Sequence, residues 1–552
     1  MTENAGAYDY VIIGGGSAGS VVASRLAAAR PAAAVLLIEA GSDGRGVAQI
    51  VDPPQWTKLE ATALDWGYAY QPSAQVAGRV IGVPRGRVLG GCSATNAMQW
   101  FRGHAADYDA WEQAGATGWN YAALLPYFRR SEDWEGGPSA QRGGGGPMRV
   151  TRPKDPHPIA SAMIEGAAEL GLAKLDDPNS GDCEGATLAN LNIAEGRRFS
   201  VVDGYLPAWA PPPAPGQVPV GAGTRAPAPP PNLTVLTGST AQRLGFSAGP
   251  SGPRCDSVFH TVRGTLRRTR VRESVILTLG AFGTPELLVR SGIGDPAALR
   301  GLGLDVTAGL PGVGRNLQDH PLLMGMNFRA RQRLGLPRDN GGGALMNWRS
   351  SRATRPDLHA FVVQGRHAYP DGAGRYRLAG DASVFAISPG LMGSASRGSL
   401  TVTDATTAGP AAVTIDSGFL TEQSDVDALA EAMEMIMDLA ATAAYAGLIE
   451  KPLMPPGRLS RADREAFVRR NCATFNHACG TAAMGTGPDA VTDPELRVIG
   501  VDGLRVADAS VFPVIPTGNT QAAVVAVAER AADLITGTTS RSVSSERGRG
   551  SA

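Results

Sequence analysis

The chain has 552 residues, and its 51 lysine and arginine residues are balanced by 51 aspartate and glutamate residues. This length exceeds what a single hydrophobic core supports, so we expect two interleaved domains that can bury a large cofactor. The formal net charge of zero gives no electrostatic basis for binding nucleic acid or an anionic membrane surface. We therefore expect a small-molecule partner and no nucleic acid.

Targeting signals and metal-binding patterns are not found in the sequence. Residues 1–7 lack the basic start and apolar core of a secretory signal. No apolar run reaches the roughly 20 residues that span a membrane. The cysteines are odd in number, widely spaced and without a CxxC pair: Cys92, Cys183, Cys255, Cys472 and Cys479. These features predict a cytoplasmic protein with reduced cysteines, no metal site and no membrane span.

Residues 8–29 have the pattern of the first part of a nucleotide-binding unit. The apolar run 10–13 predicts a strand that leads into Gly14, Gly16 and Gly19, and residues 20–29 favour a helix. In such a unit the first glycine permits a tight turn and the second lets the backbone approach a pyrophosphate. The third lets the helix pack closely on the strand. The phosphates then lie at the positive end of the helix.

A second strand and an acidic residue complete the unit. Val35–Ile38 is apolar, and Glu39 follows Gly19 by about twenty residues, where a carboxylate can bind ribose hydroxyls. The alternative, a purely structural glycine turn, does not account for all of these features together. Glu39 disfavours the 2′-phosphate of NADP, whereas NAD and FAD fit this segment equally well.

Two segments have compositions unsuited to a folded core. Residues 210–231 are rich in proline, which cannot donate to a sheet, and we expect an extended or disordered surface insertion. A plain linker is a simpler interpretation than a docking site for a proline-binding partner. The tail 537–552, rich in serine, arginine and glycine, is also predicted to be disordered.

Further strands and helices are predicted along the remainder of the chain. Residues 271–279 and 285–291 have the pattern of another strand and helix of the same doubly wound sheet. Residues 322–417 favour short strands with turns. The other predicted elements are strands at 232–236, 399–404 and 503–508 and helices at 422–446 and 520–535.

Two longer blocks resemble a known family. GRVLGGCSATNAMQWFRG at 86–103 and GAFGTPELLVRSGIG at 280–294 are similar to the two signature segments of the glucose-methanol-choline (GMC) family of FAD-dependent oxidoreductases. The nucleotide-binding unit and three further blocks, at 311–321, 475–481 and 502–520, are also similar to that family. The resemblance therefore extends over most of the chain, and it implies FAD rather than NAD.

The resemblance also implies a fold and a division into domains. We expect an α/β plus α+β protein, with a Rossmann-like FAD-binding domain formed by residues 1–150, 232–321 and 495–536. The substrate domain, residues 151–231 and 322–494, is expected to be built on an antiparallel sheet that covers the reactive face of the flavin.

Several cofactor contacts are expected outside the first unit. Gly91 is surrounded by small residues, as backbone must be where a flat ring packs on it, and Asn96 supplies an amide for the polar edge of the ring. Asp508 is expected to hold the ribityl or pyrophosphate portion, although a helix N-cap or turn acid is an alternative. The resemblance implies further contacts at Ala241, Ala509, Asn519 and Thr520, and within the first unit at Ser17, Ala18 and Ala40.

The first signature departs from the family pattern at two positions. Some members attach FAD through a histidine there, whereas Thr95 occupies that place and cannot form a histidyl link. We therefore expect non-covalent FAD. Cys92 replaces the usual glycine or serine, and we interpret it as a packing residue rather than a nucleophile.

Oxidation of an alcohol by a flavin needs a base for the hydroxyl proton. Of the seven histidines, His477 lies in a block that resembles the family's active site. A free imidazole, with a pKa of about 6.5, is largely neutral near pH 7 and can accept that proton. Asn519 matches a second position where the family has histidine or asparagine, and it is expected to orient the substrate and stabilise alkoxide character.

Each catalytic assignment has a structural alternative. His477 could be a hydrogen-bonded core histidine, and Asn519 could cap the helix that begins at Thr520. We interpret His320 and His104 as structural. Four aromatic residues could line a pocket, although core packing is an equal alternative for each: Trp66, Tyr68, Trp100 and Phe101.

The predicted function is oxidation of an alcohol to an aldehyde or ketone, with oxygen or a quinone-like or protein acceptor. The main alternative is a redox-silent lyase of the same fold, such as a hydroxynitrile lyase. Ala94 stands where the family's light-driven decarboxylase has cysteine, which argues against that activity. A non-catalytic flavin protein is disfavoured because both His477 and Asn519 are retained, and the lack of an acidic cluster disfavours choline.

Overall fold

The computed structural model describes residues 3–209, 228–250, 252–378 and 380–538. Most of the predicted proline-rich insertion and nearly all of the predicted disordered tail lie outside these residues. Two sheets dominate the described chain. As predicted, the fold is mixed α/β, with one sheet built largely on parallel strands and the other on antiparallel strands.

The first sheet contains the predicted nucleotide-binding unit. Its central strands pair in parallel, with Tyr10 opposite Val35 and Val11 opposite Val275. The main path runs, in spatial order, through Leu233–Leu236, Val35–Ile38, Glu3–Ile13, Thr265–Leu277, Pro253–Val262 and Ser239–Ala248, and Leu504–Val506 pairs with Thr265–Leu277.

The second sheet is antiparallel throughout its pairings. Its main path runs through Ile449–Met454, Asn327–Ala330, Val384–Leu391, Leu358–Val363, Ala344–Trp348 and Gly185–Leu188. Pro321–Leu323 joins it and pairs with Cys472–Thr474. The two sheets take their strands from different segments, and the domain boundaries given above stay a prediction.

The described chain also contains helices and small two-stranded sheets. The longer helices are Ser17–Ala29, Ala105–Gln113, Tyr121–Ser131, Pro158–Glu169, Gly280–Arg290, Gln423–Ala440, Arg461–Asn471 and Thr520–Thr536. The shorter ones are Ala48–Val51, Val201–Tyr205, Pro296–Gly301, Pro370–Arg375 and Ala443–Ala446. The small sheets pair Tyr68–Tyr70 with Ile81–Val83, Glu132–Trp134 with Met148–Val150, Ile193–Ala194 with Arg197–Arg198, Ile293–Gly294 with Ala308–Gly309, and Ser399–Val402 with Val413–Asp416.

The helix predicted to begin at Pro285 instead starts at Gly280. A proline inside a helix leaves the carbonyl four residues earlier without its usual donor. That carbonyl belongs to Ala281, and it accepts a hydrogen bond of 2.6 Å from the Thr481 hydroxyl. A side chain distant in the sequence therefore satisfies the group that Pro285 cannot reach.

The long helix predicted at 422–446 is divided into Gln423–Ala440 and Ala443–Ala446. The Thr442 hydroxyl donates to the carbonyl of Leu439 at 2.7 Å at the break. The Glu169 carboxylate then accepts from the first two N–H groups of the second helix, each at 2.8 Å. An acid at a helix start satisfies N–H groups that have no partner within the helix, which stabilises the break.

The last helix returns to the beginning of the chain. Ser17 donates to Gln521 at 2.9 Å, and Arg25 forms an ion pair with the buried Glu529 at 2.7 Å. These contacts bring the start of the helix at Thr520 close to the glycine turn. Among the described residues, no helix is both long and apolar enough to cross a membrane.

Candidate active site

A cleft that is partly open to solvent lies against the glycine turn. It continues past the first signature block and the start of the last helix. Most of the predicted cofactor contacts line it: Gly14, Gly16, Ser17, Ala18, Glu39, Ala40, Gly91, Ala241, Asp508, Ala509 and Thr520. The sequence blocks that suggested one ligand therefore meet in one cleft.

The glycines of the turn have different surroundings. Gly14 has a φ of +103°, and a Cβ there would lie 2.6 Å from the carbonyl oxygen of Thr278. A Cβ on Gly19 would lie 1.9 Å from the carbonyl oxygen of Gly14, so this residue packs beneath the turn and does not line the cleft. A Cβ on Gly16 would lie 3.8 Å from Gly91 and no closer to any described residue other than its chain neighbours, which leaves this face of the backbone open for a ligand.

Glu39 lies at the end of its strand with its carboxylate on the cleft. One oxygen accepts from the N–H of Gly15 at 2.8 Å and the other from the N–H of Gly41 at 2.7 Å. Burial raises the pKa of this carboxyl to about 7, although the backbone N–H groups oppose that shift. A ribose hydroxyl that donates to the carboxylate would favour its ionised form.

Asp508 has a position that agrees with both interpretations of the sequence, while its cofactor role stays a prediction. It lines the cleft, and it also caps a short turn by accepting from the N–H of Ser510 at 2.8 Å. Its second oxygen accepts from the N–H of Gly280 at 2.9 Å and from the Thr284 hydroxyl at 2.7 Å. Burial raises the pKa of the Asp508 carboxyl. The hydrogen bonds of Asp508 to Gly280 and Thr284 connect the C-terminal block, residues 502–520, to the second signature block, residues 280–294.

Asn96 and Asn519 are not among the residues that line the cleft. The Asn96 carbonyl accepts from the N–H of Met98 and from Arg198, both at 2.9 Å. These bonds direct that oxygen to its own loop and to a buried arginine. Asn96 therefore has partners within the protein that the sequence did not indicate.

His477 and Asn519 are brought together, as the predicted chemistry requires. The Nε2 atom of His477 lies 3.2 Å from Nδ2 of Asn519. Asn519 occupies the N-cap position of the last helix, but within the described residues its side chain makes no capping bond and its buried Oδ1 has no partner. The side chain is thus directed to His477. Among the described residues, His477 itself does not line the cleft, but the residues on either side of it, Asn476 and Ala478, both do.

His320 contacts His477 directly, although the sequence indicated only a structural residue. The Nδ1 atoms of the two rings lie 2.9 Å apart. Asp319 links their backbones, because one of its oxygens accepts from the N–H of His320 at 2.7 Å and from that of His477 at 2.8 Å. His104, by contrast, caps the helix that follows it, in agreement with a structural role.

The electrostatic environment keeps the His477 ring neutral. Burial lowers the pKa of His477 well below its usual value, and the charged forms of His320, Arg85 and His359 lower it further. Arg85 lines the cleft and donates to the carbonyl of Asn476 at 2.7 Å. An uncharged imidazole can accept a proton, so the ring is in the form that a base requires.

Arg85 and Asp319 are the site residues that sequence reasoning missed. Arg85 immediately precedes the first signature block, and Asp319 precedes His320 in the QDHP segment. The second oxygen of Asp319 accepts from the hydroxyls of Tyr70 at 2.6 Å and Thr474 at 2.5 Å. The available signal was the position of Asp319 in a family-like block and of Arg85 next to one, but only the fold shows what they contact.

The four aromatic candidates separate into two groups. Trp66 and Tyr68 line the cleft, and so does Cys92. Trp100 is fully buried and donates to Glu132 at 3.0 Å, and Phe101 is buried against the ring of His359. The described part of the chain contains no group of three or more histidine, cysteine, aspartate or glutamate residues that could hold a metal ion.

Comparison with known proteins identifies the family. The N-terminal GMC oxidoreductase model matches residues 8–211 and 225–322, and the C-terminal model matches residues 394–528. An oxygen-dependent choline dehydrogenase from Brucella suis is 33% identical over 553 aligned positions, covering 96% of each chain.

Solved structures agree with this match. A pyridoxine 4-oxidase from Mesorbium loti superimposes with a TM-score of 0.86 at 33% identity, covering 95% of this chain and 98% of the other. A variant of formate oxidase from Aspergillus oryzae gives 0.84 at 25% identity, covering 98% and 100%. The chain therefore belongs to the GMC oxidoreductase family and is a flavin-dependent oxidoreductase that acts on alcohols.

Proposed function

We propose that the protein oxidises an alcohol to an aldehyde or ketone, with His477 as the base that takes the hydroxyl proton. The observation that carries this proposal is the 3.2 Å approach of His477 Nε2 and Asn519, beside a cleft that holds the predicted cofactor contacts. Oxidation of an alcohol needs a titratable group that takes the hydroxyl proton and an uncharged group that hydrogen-bonds the same oxygen. His477 and Asn519 are groups of these two kinds.

The cleft fits FAD. Gly14 and Gly16 would hold the pyrophosphate and Glu39 the adenosine ribose, since the open backbone at Gly16 leaves room there. The flavin would lie on Gly91, where a Cβ would come within 2.7 Å of Gly16 and so close the space. When bound, FAD supplies an acceptor for the hydride of the alcohol.

The side chains at the site have separate proposed roles in proton transfer and substrate orientation. His477 accepts the hydroxyl proton at Nε2, because burial has kept that ring neutral. The Asn519 amide orients the alcohol oxygen and stabilises negative charge that develops on it. The fully buried His320 behind His477 keeps water from that side of the ring.

Rapid anaerobic mixing with alcohols tests the reaction class. Choline and pyridoxine are the first alcohols to test, because two of the relatives are named after them. The signal is the loss of absorbance of the oxidised flavin. We expect at least one alcohol to bleach it. A lyase would instead cleave a cyanohydrin and release cyanide while the flavin absorbance stayed constant, and that result would contradict the proposal.

The electron acceptor is proposed to be oxygen, because the relatives include an oxidase and an oxygen-dependent dehydrogenase. Reoxidation of the bleached enzyme by air or by a soluble quinone distinguishes oxygen from the quinone-like alternative. Hydrogen peroxide in amounts equal to the alcohol consumed would support oxygen.

The FAD is proposed to be non-covalent, because Thr95 cannot form a histidyl link to it. Precipitation of the purified protein with trichloroacetic acid is expected to leave a colourless pellet and to release all the flavin. Absorbance of the two fractions measures this result. A yellow pellet would show a covalent bond formed by another residue, with Cys92 on the cleft as the first candidate to substitute.

A further inference from the structure

We propose that His320 is a positioning residue for His477. Its Nδ1 accepts a hydrogen bond from the N–H at Nδ1 of His477, so that Nε2 of His477 carries no proton and faces Asn519 and the alcohol. The inference rests on the proposed function, in which His477 is the base. It adds a reason why Nε2 of His477, the nitrogen that faces Asn519, carries no proton.

The contact between the rings requires an ordered proton. The two Nδ1 atoms are 2.9 Å apart, and the ring planes are nearly perpendicular at 88°. His320 is fully buried and His477 is 9% exposed. When both rings are neutral, a hydrogen bond at this distance needs a donor on one ring and a lone pair on the other. Only two arrangements of the protons are therefore possible.

The surroundings of Asn519 favour donation by His477. In that arrangement Nε2 of His477 carries a lone pair, and the Asn519 amide nitrogen 3.2 Å away donates a hydrogen bond to it. In the reverse arrangement two N–H donors would face each other. Rotation of the Asn519 amide would remove that clash, but it would bury the NH₂ group where Oδ1 now has no partner. A buried carbonyl without a partner is better tolerated than a buried N–H.

The surroundings of His320 allow the same arrangement without selecting it. If its Nδ1 accepts from His477, its proton is on Nε2. Burial lowers the pKa of His320 to about 3, and the backbone carbonyls of Met392 and Pro516 partly offset that effect. Nε2 of His320 is buried and makes no hydrogen bond within the described residues, so these carbonyls do not decide which ring donates, and the choice between the two arrangements rests on Asn519.

Asp319 makes the contact between the rings a fixed feature of the site. One of its oxygens accepts from the backbone N–H groups of both His320 and His477, at 2.7 and 2.8 Å. Its other oxygen is held by Tyr70 and Thr474. The two rings therefore extend from backbone segments held by one anchored carboxylate. This pre-organisation means that no rearrangement is needed to order the protons.

The arrangement has a consequence for the proton transfer. As the alcohol O–H bond breaks, its proton forms a new N–H bond at Nε2 of His477, and the ring becomes a cation. The hydrogen bond from Nδ1 to His320 then becomes charge-assisted and stronger. It stabilises an imidazolium that burial and the nearby Arg85 otherwise disfavour. His320 therefore acts through His477 and not on the substrate.

Nitrogen NMR of protein labelled with ¹⁵N-histidine tests the tautomer without any turnover. The FAD-bound protein is used, and the His477 signals are identified by their absence from a His477→Gln variant. We expect a proton on Nδ1 of His477 and a bare Nε2. A spectrum of the parent protein with the proton on Nε2 would overturn the proposal whatever the activity.

Two substitutions of His320 separate positioning from packing. Asparagine places a carbonyl oxygen near the position of Nδ1, whereas leucine fills similar space without an acceptor. We expect His320→Leu to slow bleaching by alcohol roughly 10- to 100-fold and to disorder the His477 tautomer, and His320→Asn to retain most of the rate. Equal rates in the parent and the leucine variant would overturn the proposal.

The two proposals can fail separately. If His477→Ala bleached like the parent while the NMR tautomer was as expected, the base assignment would be wrong and the proton order correct. Should the leucine variant not fold, which circular dichroism detects, the spectra of the parent and the asparagine variant still decide the tautomer.

Discussion

Replacement of His477 by alanine is expected to slow the bleaching of bound FAD by alcohol about 10²–10⁴-fold, or roughly 3–6 kcal/mol of transition-state stabilisation. The variant loses the group that takes the hydroxyl proton, whereas the cleft that holds the cofactor keeps its other contacts. FAD should therefore remain bound. Stopped-flow absorbance under anaerobic conditions, at saturating alcohol, measures the rate.

A matched control removes another histidine from a distant position. His157 caps the helix Pro158–Glu169 and does not line the cleft. His157→Ala should cost about 1 kcal/mol of stability through the lost cap and leave the bleaching rate unchanged. A His477 variant as fast as this control would exclude His477 as the base.

The pH dependence of the parent rate follows from the same environment. Burial lowers the pKa of His477, so its ring stays unprotonated as the pH falls toward that lowered value. The bleaching rate should be flat from about pH 8 to pH 6, where an ordinary histidine would already be losing its basic form. A rate that falls with an apparent pKa near the usual value would show that the ring is more exposed than the structure indicates.

Alanine substitutions in the glycine turn should separate folding from cofactor binding. A methyl group on Gly19 would lie 1.9 Å from the carbonyl oxygen of Gly14, so the helix and strand must move apart. We expect Gly19→Ala to lower the free energy of unfolding by about 3 kcal/mol or more and to abolish FAD retention.

At Gly16 the methyl group meets no described residue closer than 3.8 Å, apart from its chain neighbours. Gly16→Ala should fold normally but bind FAD much more weakly, because the methyl group occupies space expected for the pyrophosphate.

Thermal unfolding of the apoprotein and titration with FAD measure the two effects. Gly301→Ala is the matched control, since a Cβ on Gly301, at the end of the helix Pro296–Gly301, would meet no described residue within 4 Å apart from its chain neighbours and its own helix. It should be neutral or slightly stabilising. If Gly16→Ala bound FAD like the parent, the pyrophosphate would not lie on this turn.

Local patterns were sufficient to predict the nucleotide-binding unit. The strand, the three glycines, the helix and Glu39 lie within about thirty residues, and each has a role determined by backbone geometry that neighbouring residues set. The family resemblance was predicted from blocks of this kind, and the family matches confirm it. The meeting of His477 and Asn519 was likewise anticipated, because both lie in family-like blocks.

The residues around His477 depended on contacts between distant segments. His320 is separated from His477 by 157 positions, and nothing in its own segment indicates that their rings touch. The start of the helix at Gly280 depends on the Thr481 hydroxyl, and the break after Ala440 depends on Glu169. Turn geometry is local and can be inferred from neighbouring residues. The partners of a buried imidazole, a helix carbonyl or a helix end are chosen by packing, so they became known only from the folded chain.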